Sequence, residues 1–393
     1  MKIRRLLVWA VLYLAVLVTV RDARAQLLDD LQVSGYVQAM PVWMNAELPP
    51  PVGSRSFWEY RLQNRLNIRW DVASDWTFNW QMRTRFFAGD LVRDLPFYAD
   101  AIQESAEDGL VNLSWMMAER DSWLLHYNTD RLNLEWATSG WSVRIGRQRI
   151  NWGINMVTNP NDLFNIYSFY DFDYPERPGS DAIRIQRFTG PFSRWEFAMR
   201  PDRDFDQSVA ALMYAFNTDG YDLQFLGGYY RNRLAVGGGW AGSISMTGFK
   251  GEVMFFSDLK ENGESRESNI VTAVSIDHMF DNSLFLVVEA LYNQKGGREQ
   301  FVLTGEPPAA DNPSFSRFQF TANGSYPFSP ILNGSLAMIY YPDETAVFIS
   351  PSVTWSVLQD LDLNVLTQLF IGSEESVFQN AGNVAAASLK WNF

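Results

Sequence analysis

The sequence predicts an all-β protein, a transmembrane antiparallel up-and-down β-barrel of about 18 strands. Three observations predict it: a period-two alternation of apolar with charged or amide residues, an alternation of short and long connections, and an aromatic C-terminal strand. The first is clearest from Glu59 to Phe87. Tyr60, Leu62, Leu66, Ile68 and Trp70 alternate with Arg61, Gln63, Arg65, Asn67 and Arg69, broken only by Asn64. After the turn Val72-Ala73-Ser74-Asp75, the residues Trp76, Phe78, Trp80, Met82 and Phe86 alternate with Thr77, Asn79, Gln81, Arg83 and Arg85. Successive strand side chains point to opposite faces, so one face is apolar and the other is a column of arginines and amides. A soluble hairpin has the same local pattern. Its recurrence to the end of the chain selects a barrel with an apolar exterior and a polar interior.

Taken in order, the chain opens with Lys2, Arg4 and Arg5, an apolar run from Leu6 to Val20, and Ala23-Arg24-Ala25 before Gln26. That is the pattern of a secretory signal peptide over residues 1–25, leaving 26–393 as a single barrel domain. Losing residues 1–25 removes five basic residues and one acid and moves the formal charge from −13 to −17. An acidic chain is not expected to bind nucleic acid. The absence of cysteine excludes a disulfide framework, thiol catalysis and thiolate metal sites. Aromatic residues make up 15% of the chain, while no apolar run after residue 25 reaches the roughly 20 residues of a membrane helix. Aromatic abundance without helical spans fits the girdles of outer-membrane barrels.

A first strand runs from Leu31 to Ala39, followed by Pro49-Pro50-Pro51 and the arginine-striped hairpin. The connection from Gly89 to Asp121 holds a short helix between Ala99 and Glu107. Strands then follow over 131–136 and 141–145, over Asp181–Thr189 and Ser193–Pro201, and onward to Val384–Phe393. Connections at 72–75, 138–140, 190–192, 217–220, 280–283, 327–330 and 358–360 are short, whereas those at 89–121, 151–180, 257–268, 295–314 and 372–383 are long. Short periplasmic turns alternating with long extracellular loops are the barrel arrangement. Ala385, Ala387, Leu389, Trp391 and the terminal Phe393 resemble the signal read by the outer-membrane barrel assembly machinery.

The inward faces carry the chemistry. From Glu59 to Pro201 they hold Arg61, Arg65, Arg69, Arg83, Arg85, Arg131, Arg144, Arg184, Arg194 and Arg200 against Glu59, Asp71, Glu135 and Glu196. Later strands turn Lys250 and Arg317 inward against Asp222, Glu252, Asp277, Glu289 and Asp362. One basic wall opposite one acidic wall predicts a field across a pore, and guanidinium columns offer successive sites to anionic groups. Neutralisation of the arginines by neighbouring acids is the competing reading of the same residues.

The segment Arg144-Ile145-Gly146-Arg147-Gln148-Arg149-Ile150-Asn151-Trp152-Gly153, with Arg131-Leu132-Asn133-Leu134-Glu135-Trp136 before it, resembles the Gly-Arg-Gln...Trp-Gly strand of alginate-export-type outer-membrane porins. The resemblance covers those strands and the overall architecture. It implies an anion-conducting barrel in which this strand leads into a pore-constricting loop, here Asn159 to Ser180. It carries over no polysaccharide site. Strict alternation from Ile145 turns Arg147 and Arg149 toward lipid; a bulge at Gly146 redirects them inward and adds Arg149 to the pore lining. Without the bulge they lie near lipopolysaccharide phosphates.

No catalytic constellation appears. His126 and His278 are the only histidines, and Asp277 beside His278 faces the opposite side of a strand. No G-x-S-x-G occurs. Asp171, Asp173, Glu176 and Asp181 are weighed as calcium ligands against solvated loop acids, the stronger alternative. The sequence therefore predicts a non-enzymatic channel of the bacterial outer membrane, without cofactor, in contact with lipid and lipopolysaccharide, passing anionic small molecules or an anionic polysaccharide. The alternative is a non-conducting surface barrel that binds a polysaccharide or partner protein through its aromatic loops.

Overall fold

The computed structural model describes residues 30–48, 53–106, 109–165, 169–172, 176–259, 267–296, 308–373, 376, 378 and 381–393. The expected signal peptide lies outside them, as does the Pro-rich stretch. The strands are β1 Leu31–Leu48, β2 Gly53–Ala73, β3 Trp76–Gly89, β4 Ser114–Arg120, β5 Trp123–Ala137, β6 Trp141–Gln148, β7 Ser180–Gly190, β8 Ser193–Arg200, β9 Val209–Thr218 and β10 Tyr221–Tyr230. They continue as β11 Arg233–Ile244, β12 Thr247–Asp258, β13 Ser268–Met279, β14 Phe285–Asn293, β15 Phe318–Ser329, β16 Leu332–Tyr341, β17 Ala346–Leu358, β18 Leu361–Gly372 and β19 Asn383–Asn392. Helices α1, Asp90–Asp94, and α2, Tyr98–Ala106, follow β3.

Each strand pairs antiparallel with its neighbour in the chain, except that β3 pairs with β5, and β1 pairs with β19 to close the ring. Eighteen strands form the wall, and β4 lies outside the count, alongside the half of β5 from Trp123 to Asn128. Closure leaves no edge in the ring itself, which is how such a sheet satisfies every backbone group across an apolar slab. The seam is completed by the chain terminus: Phe393 and Gly35 exchange backbone hydrogen bonds of 3.0 and 2.9 Å. Gly35 has to be small, because a Cβ there would sit 2.1 Å from the Arg65 carbonyl oxygen and against the Phe393 ring.

The expected alternation is present on the outer face, where Tyr60, Leu62, Trp70, Ile145, Ile183, Phe225 and Leu336 are exposed. Leu286 lies on this face and Val287 on the inner one, as the alternation predicts, but Val287 is buried. The inner face is not uniformly polar. Toward the short turns it carries Asn79, Glu135, Arg144, Arg184, Lys250, Ser335, Thr354 and Asp362 at intermediate exposure. Toward the long connections it carries Met40, Val42, Phe57, Phe87, Leu124, Met213, Met254, Phe256 and Phe348, all buried. These apolar positions are covered from inside by the long connections, which pack into the barrel as a soluble core would. α1 and α2 cap Phe57, Phe87 and Leu124 in this way.

Candidate functional site

The candidate site is the segment from Arg149 to Gly179, which leaves the wall at the end of β6 and returns at β7. Its described parts form a collar of two arms against the inner wall: residues 149–165 run out along β8 to β14 and return to β7, where Ser180 Oγ donates to the Phe164 carbonyl (2.7 Å) and accepts from Asn165 Nδ2 (3.0 Å), and residues 169–172 and 176–179 lie against β16 to β19, β1, β2 and β5. Trp152 donates through Nε1 to Glu196 of β8 (2.7 Å), and its carbonyl accepts from Gln224 of β10 (2.6 Å). The N–H groups of Ile154 and Asn155 reach Glu252 Oε1 of β12 at 2.5 and 2.8 Å, and Asn155 bonds Ser275 and the Ala273 carbonyl of β13. Val157 and Thr158 donate backbone N–H groups to Glu289 of β14 at 3.3 and 2.8 Å. Asn161 tucks back onto Glu252 Oε2 at 2.8 Å.

The second arm packs on the far side. Phe169 and Tyr170 pack on Phe348 of β17, Tyr170 bonds Tyr341 of β16 through the two hydroxyls, and its carbonyl accepts from Gln368 of β18. Phe172 joins Met40 and Val42 of β1 and Val384 and Ala386 of β19. Glu176 accepts from Tyr36 of β1 and lies 3.8 Å from Arg65 of β2. Arg131 of β5 holds the end of this arm by donating Nη2 to the carbonyls of Glu176 (2.9 Å) and Arg177 (2.8 Å).

Wall carboxylates thus serve the collar. Glu196, Glu252 and Glu289 are at most 1% exposed. The expected acidic wall is corrected accordingly: Glu252 and Glu289 spend their acceptor capacity on collar amides and do not face open solvent, while Asp277 is paired with Lys250 at 2.7 Å. Within the collar, Asp162 lies beside the backbone N–H groups of Trp152 and Asn165, and burial lifts its carboxyl to about 7 despite the opposing influence of Arg149 and Arg177.

The expected pore arginines sort into three environments. Arg65 is 2% exposed and paired with Asp130, which also faces Arg83 at 3.8 Å. Asp130 is the extra residue of a bulge in β5, where the register against β3 shifts between Gln81 and Met82. Strict alternation could not have shown this acid facing inward. Arg61 pairs with Glu59 and lies over the Phe87 and Phe172 rings, and Arg85 meets His126 at 3.2 Å. Nearer the short turns, Arg144 pairs with Glu135 at 2.5 Å, Arg184 and Arg194 share Glu196 at 2.6 and 3.4 Å, and Arg69 meets Asp71 at 3.1 Å. Among these, Arg69 and Arg194 are the more exposed, with side chains 53% and 38% accessible. Arg200 donates to the Gln207 carbonyl at the other rim.

The bulge expected at Gly146 is absent. The ladders of β6 with β5 and β7 run through Gly146 in register. Gly146 instead adopts φ 113, where a Cβ would lie 2.3 Å from the Leu132 carbonyl oxygen. Arg147 consequently keeps the outward parity, opposite Leu132 and Asp181, and is buried there. It binds Asp181 at 2.7 Å and donates to the Val111 carbonyl at 2.7 Å. Arg149 lies beyond the strand, donates to Asn151 at 3.3 Å and belongs to the collar.

His126 meets the Ser114 hydroxyl at 2.7 Å, a contact invisible in the sequence. Both residues are fully buried, and the other ring nitrogen faces Arg85, so no carboxylate orients the imidazole as a base. Of the acids weighed for calcium, Glu176 and Asp181 are engaged as described, and Asp173 lies outside the described residues.

No family model and no curated protein sequence matches this chain. Solved structures do. OccAB4 of Acinetobacter baumannii superposes with a TM-score of 0.55 at 9% identity, over 92% of this chain and 98% of that one. OccK5 (OpdH) of Pseudomonas aeruginosa superposes with a TM-score of 0.56 at 10% identity, over 94% and 99%. The likeness is one of fold, a closed antiparallel barrel of 18 strands, all-β with few helices. The sequence comparisons do not extend the resemblance of the Gly146-Arg147-Gln148 strand to alginate-export porins.

Proposed function

We propose that this protein is a porin-type channel of the bacterial outer membrane, a passive path for anionic solutes. The observation that carries the reading is the closed wall of 18 strands whose inner face is polar toward the short turns, with Arg144, Arg184 and Lys250 there at intermediate exposure. Charge supports the sign. On β2, β3 and β5 at collar level, Arg61, Arg65, Arg83, Arg85 and Arg131 face Glu59, Asp130 and Glu176. On the opposite wall Glu252 and Glu289 are covered by the collar, while Arg69 and Arg194 keep accessible side chains, so the charge that a solute can approach leans cationic. In a confined channel such a surplus concentrates anions. Gln26 as the first mature residue, lipid and lipopolysaccharide around the wall, and assembly through Phe393 belong to the same reading.

A second reading has its own support: the long connections fill the apolar half of the lumen, as in a surface barrel that binds a polysaccharide or partner protein without conducting. Reconstitution in planar bilayers separates the two. A channel gives discrete conductance steps and a reversal potential in a salt gradient that reports anion preference; a silent barrel gives neither. Blockade of those steps by a polyanionic sugar, set against a neutral one, tests whether the passing solute is a polysaccharide.

A further inference from the structure

The two halves of the collar are fastened by different chemistry. From Glu176 to Arg177 the holding groups are the Arg131 guanidinium on carbonyl oxygens, and before them Tyr170 bonds Tyr341 while Phe172 packs among aliphatic side chains. From Trp152 to Asn165, besides Glu196 on the Trp152 indole and Ser180 on Phe164 and Asn165, three buried carboxylates face the arm's backbone amides. Glu252 receives the N–H groups of Ile154, Asn155 and Asn161, and Glu289 receives those of Val157 and Thr158, while Asp162 lies beside those of Trp152 and Asn165. Among the described residues none of the three forms an ion pair. Asp162 faces Arg149, Arg177 and Glu252; Glu252 faces Asp162 besides its three amides; Glu289 faces its two amides and the Thr158 hydroxyl.

We propose that this half of the collar is a proton-linked constriction, docked on β12 and β14 while Asp162 holds its proton and loosening as the pH rises through neutrality. As the regulation of a pore the inference rests on the channel reading; as a docking equilibrium it does not.

Released from the wall, these carboxylates would meet water and ionise as ordinary acids. Docked, they are packed against amides with almost no solvent, and Asp162 and Glu252 bring like charges together. Hydrogen bonds from N–H groups favour the charged forms, while burial and mutual repulsion disfavour them. At Asp162 burial outweighs two arginines and two amides, since its carboxyl is raised to about 7. The docked state therefore holds more protons than the released state between the ordinary carboxylate range and neutrality. Linkage fixes the sign: docking has its full strength below the ordinary carboxylate range and loses it as the pH rises through about 7. The other half is held by the Arg131 guanidinium on carbonyl oxygens and by tyrosine and aliphatic contacts, and serves as the reference.

Hydrogen–deuterium exchange of the full chain in lipid bilayers tests this without any current being measured. After correction for intrinsic amide chemistry, peptides spanning 150–165 should lose protection by roughly tenfold or more between pH 6 and pH 8.5, while amides at the Arg131 contact around 176–178 should not. Asp162→Asn keeps the shape and the acceptor oxygen but cannot ionise, and it should flatten the pH dependence; Glu289→Gln is the second variant if the first does not assemble. Equal protection at both pH values in the wild type, or an assembled variant with the full wild-type pH dependence, overturns the proposal. Proton-linked protection in a barrel that never conducts supports it and removes the channel reading.

Discussion

At the scale of single residues, Asp130 decides how the arginine column behaves. Arg65 and Arg83 stand on adjacent strands, and two buried guanidinium groups so close would repel strongly without a counter-charge. The bulge in β5 supplies it, with Asn128 donating to Asp130 Oδ1 at 2.8 Å and Gln81 accepting from Arg65 at 2.8 Å. Removing one partner from a buried pair leaves an uncompensated charge, so Asp130→Asn should destabilise the barrel by about 3–5 kcal/mol. Asp71→Asn, at the solvated Arg69 pair, should leave stability unchanged. Urea unfolding followed by loss of the heat-modifiable band measures both, and equal midpoints for the two variants would mean that the Asp130 cluster is as hydrated as the rim. The same reasoning alters what Arg65 and Arg83 can report. The alternation correctly places them inward, but inward here means packed, and charge reversal at these positions attacks assembly before selectivity.

At the scale of elements, the strands were legible because each obeys one local rule, and the interior was not because it obeys none. Period two places Arg61, Arg83 and Arg194 on the correct face, and the short turn Asp219-Gly220, with φ 51 and 81, carries the Asp-Gly signature of a tight hairpin. Bulges escape this logic, since nothing in the order of residues around Asp130 announces an extra residue. β4 escapes it too: seven residues within a long connection become a strand because the exposed edge of β5 offers them a ladder. The collar is further out of reach. Glu252 binds amides 91–98 positions away in the chain, and no local pattern tells an inward glutamate that anchors a loop from one that lines a pore. The closing seam was legible in part. Phe393 was expected as an assembly signal, and it also carries two backbone bonds to Gly35 and a ring that covers that glycine. Deleting Phe393 should therefore reduce the assembled, heat-modifiable fraction and leave chain in the periplasm; unchanged surface levels would show that β1 and β19 close without it.

At the scale of the whole molecule, a net charge of −13 sits on a channel read as anion-preferring. The two agree because the acids are distributed unevenly: several are buried under the collar, others lie in rim turns such as Asp202, Asp204 and Asp206, and the lumen keeps a cationic sector. Selectivity depends on charges that ions can approach, which directs mutation to the accessible arginines. Arg69 and Arg194 qualify; Arg194 shares Glu196 with Arg184, which lies closer, so its loss leaves no buried acid without a cation. Replacing both by Gln should preserve the barrel and shift the reversal potential in a salt gradient toward cations. The shift should be larger at low ionic strength, because the screening length grows from about 10 Å at 0.1 M to about 30 Å at 0.01 M salt. A double variant that conducts with unaltered anion preference at both salt concentrations would move the selectivity away from the vestibule to the collar, where Arg61, Arg85 and Arg131 remain.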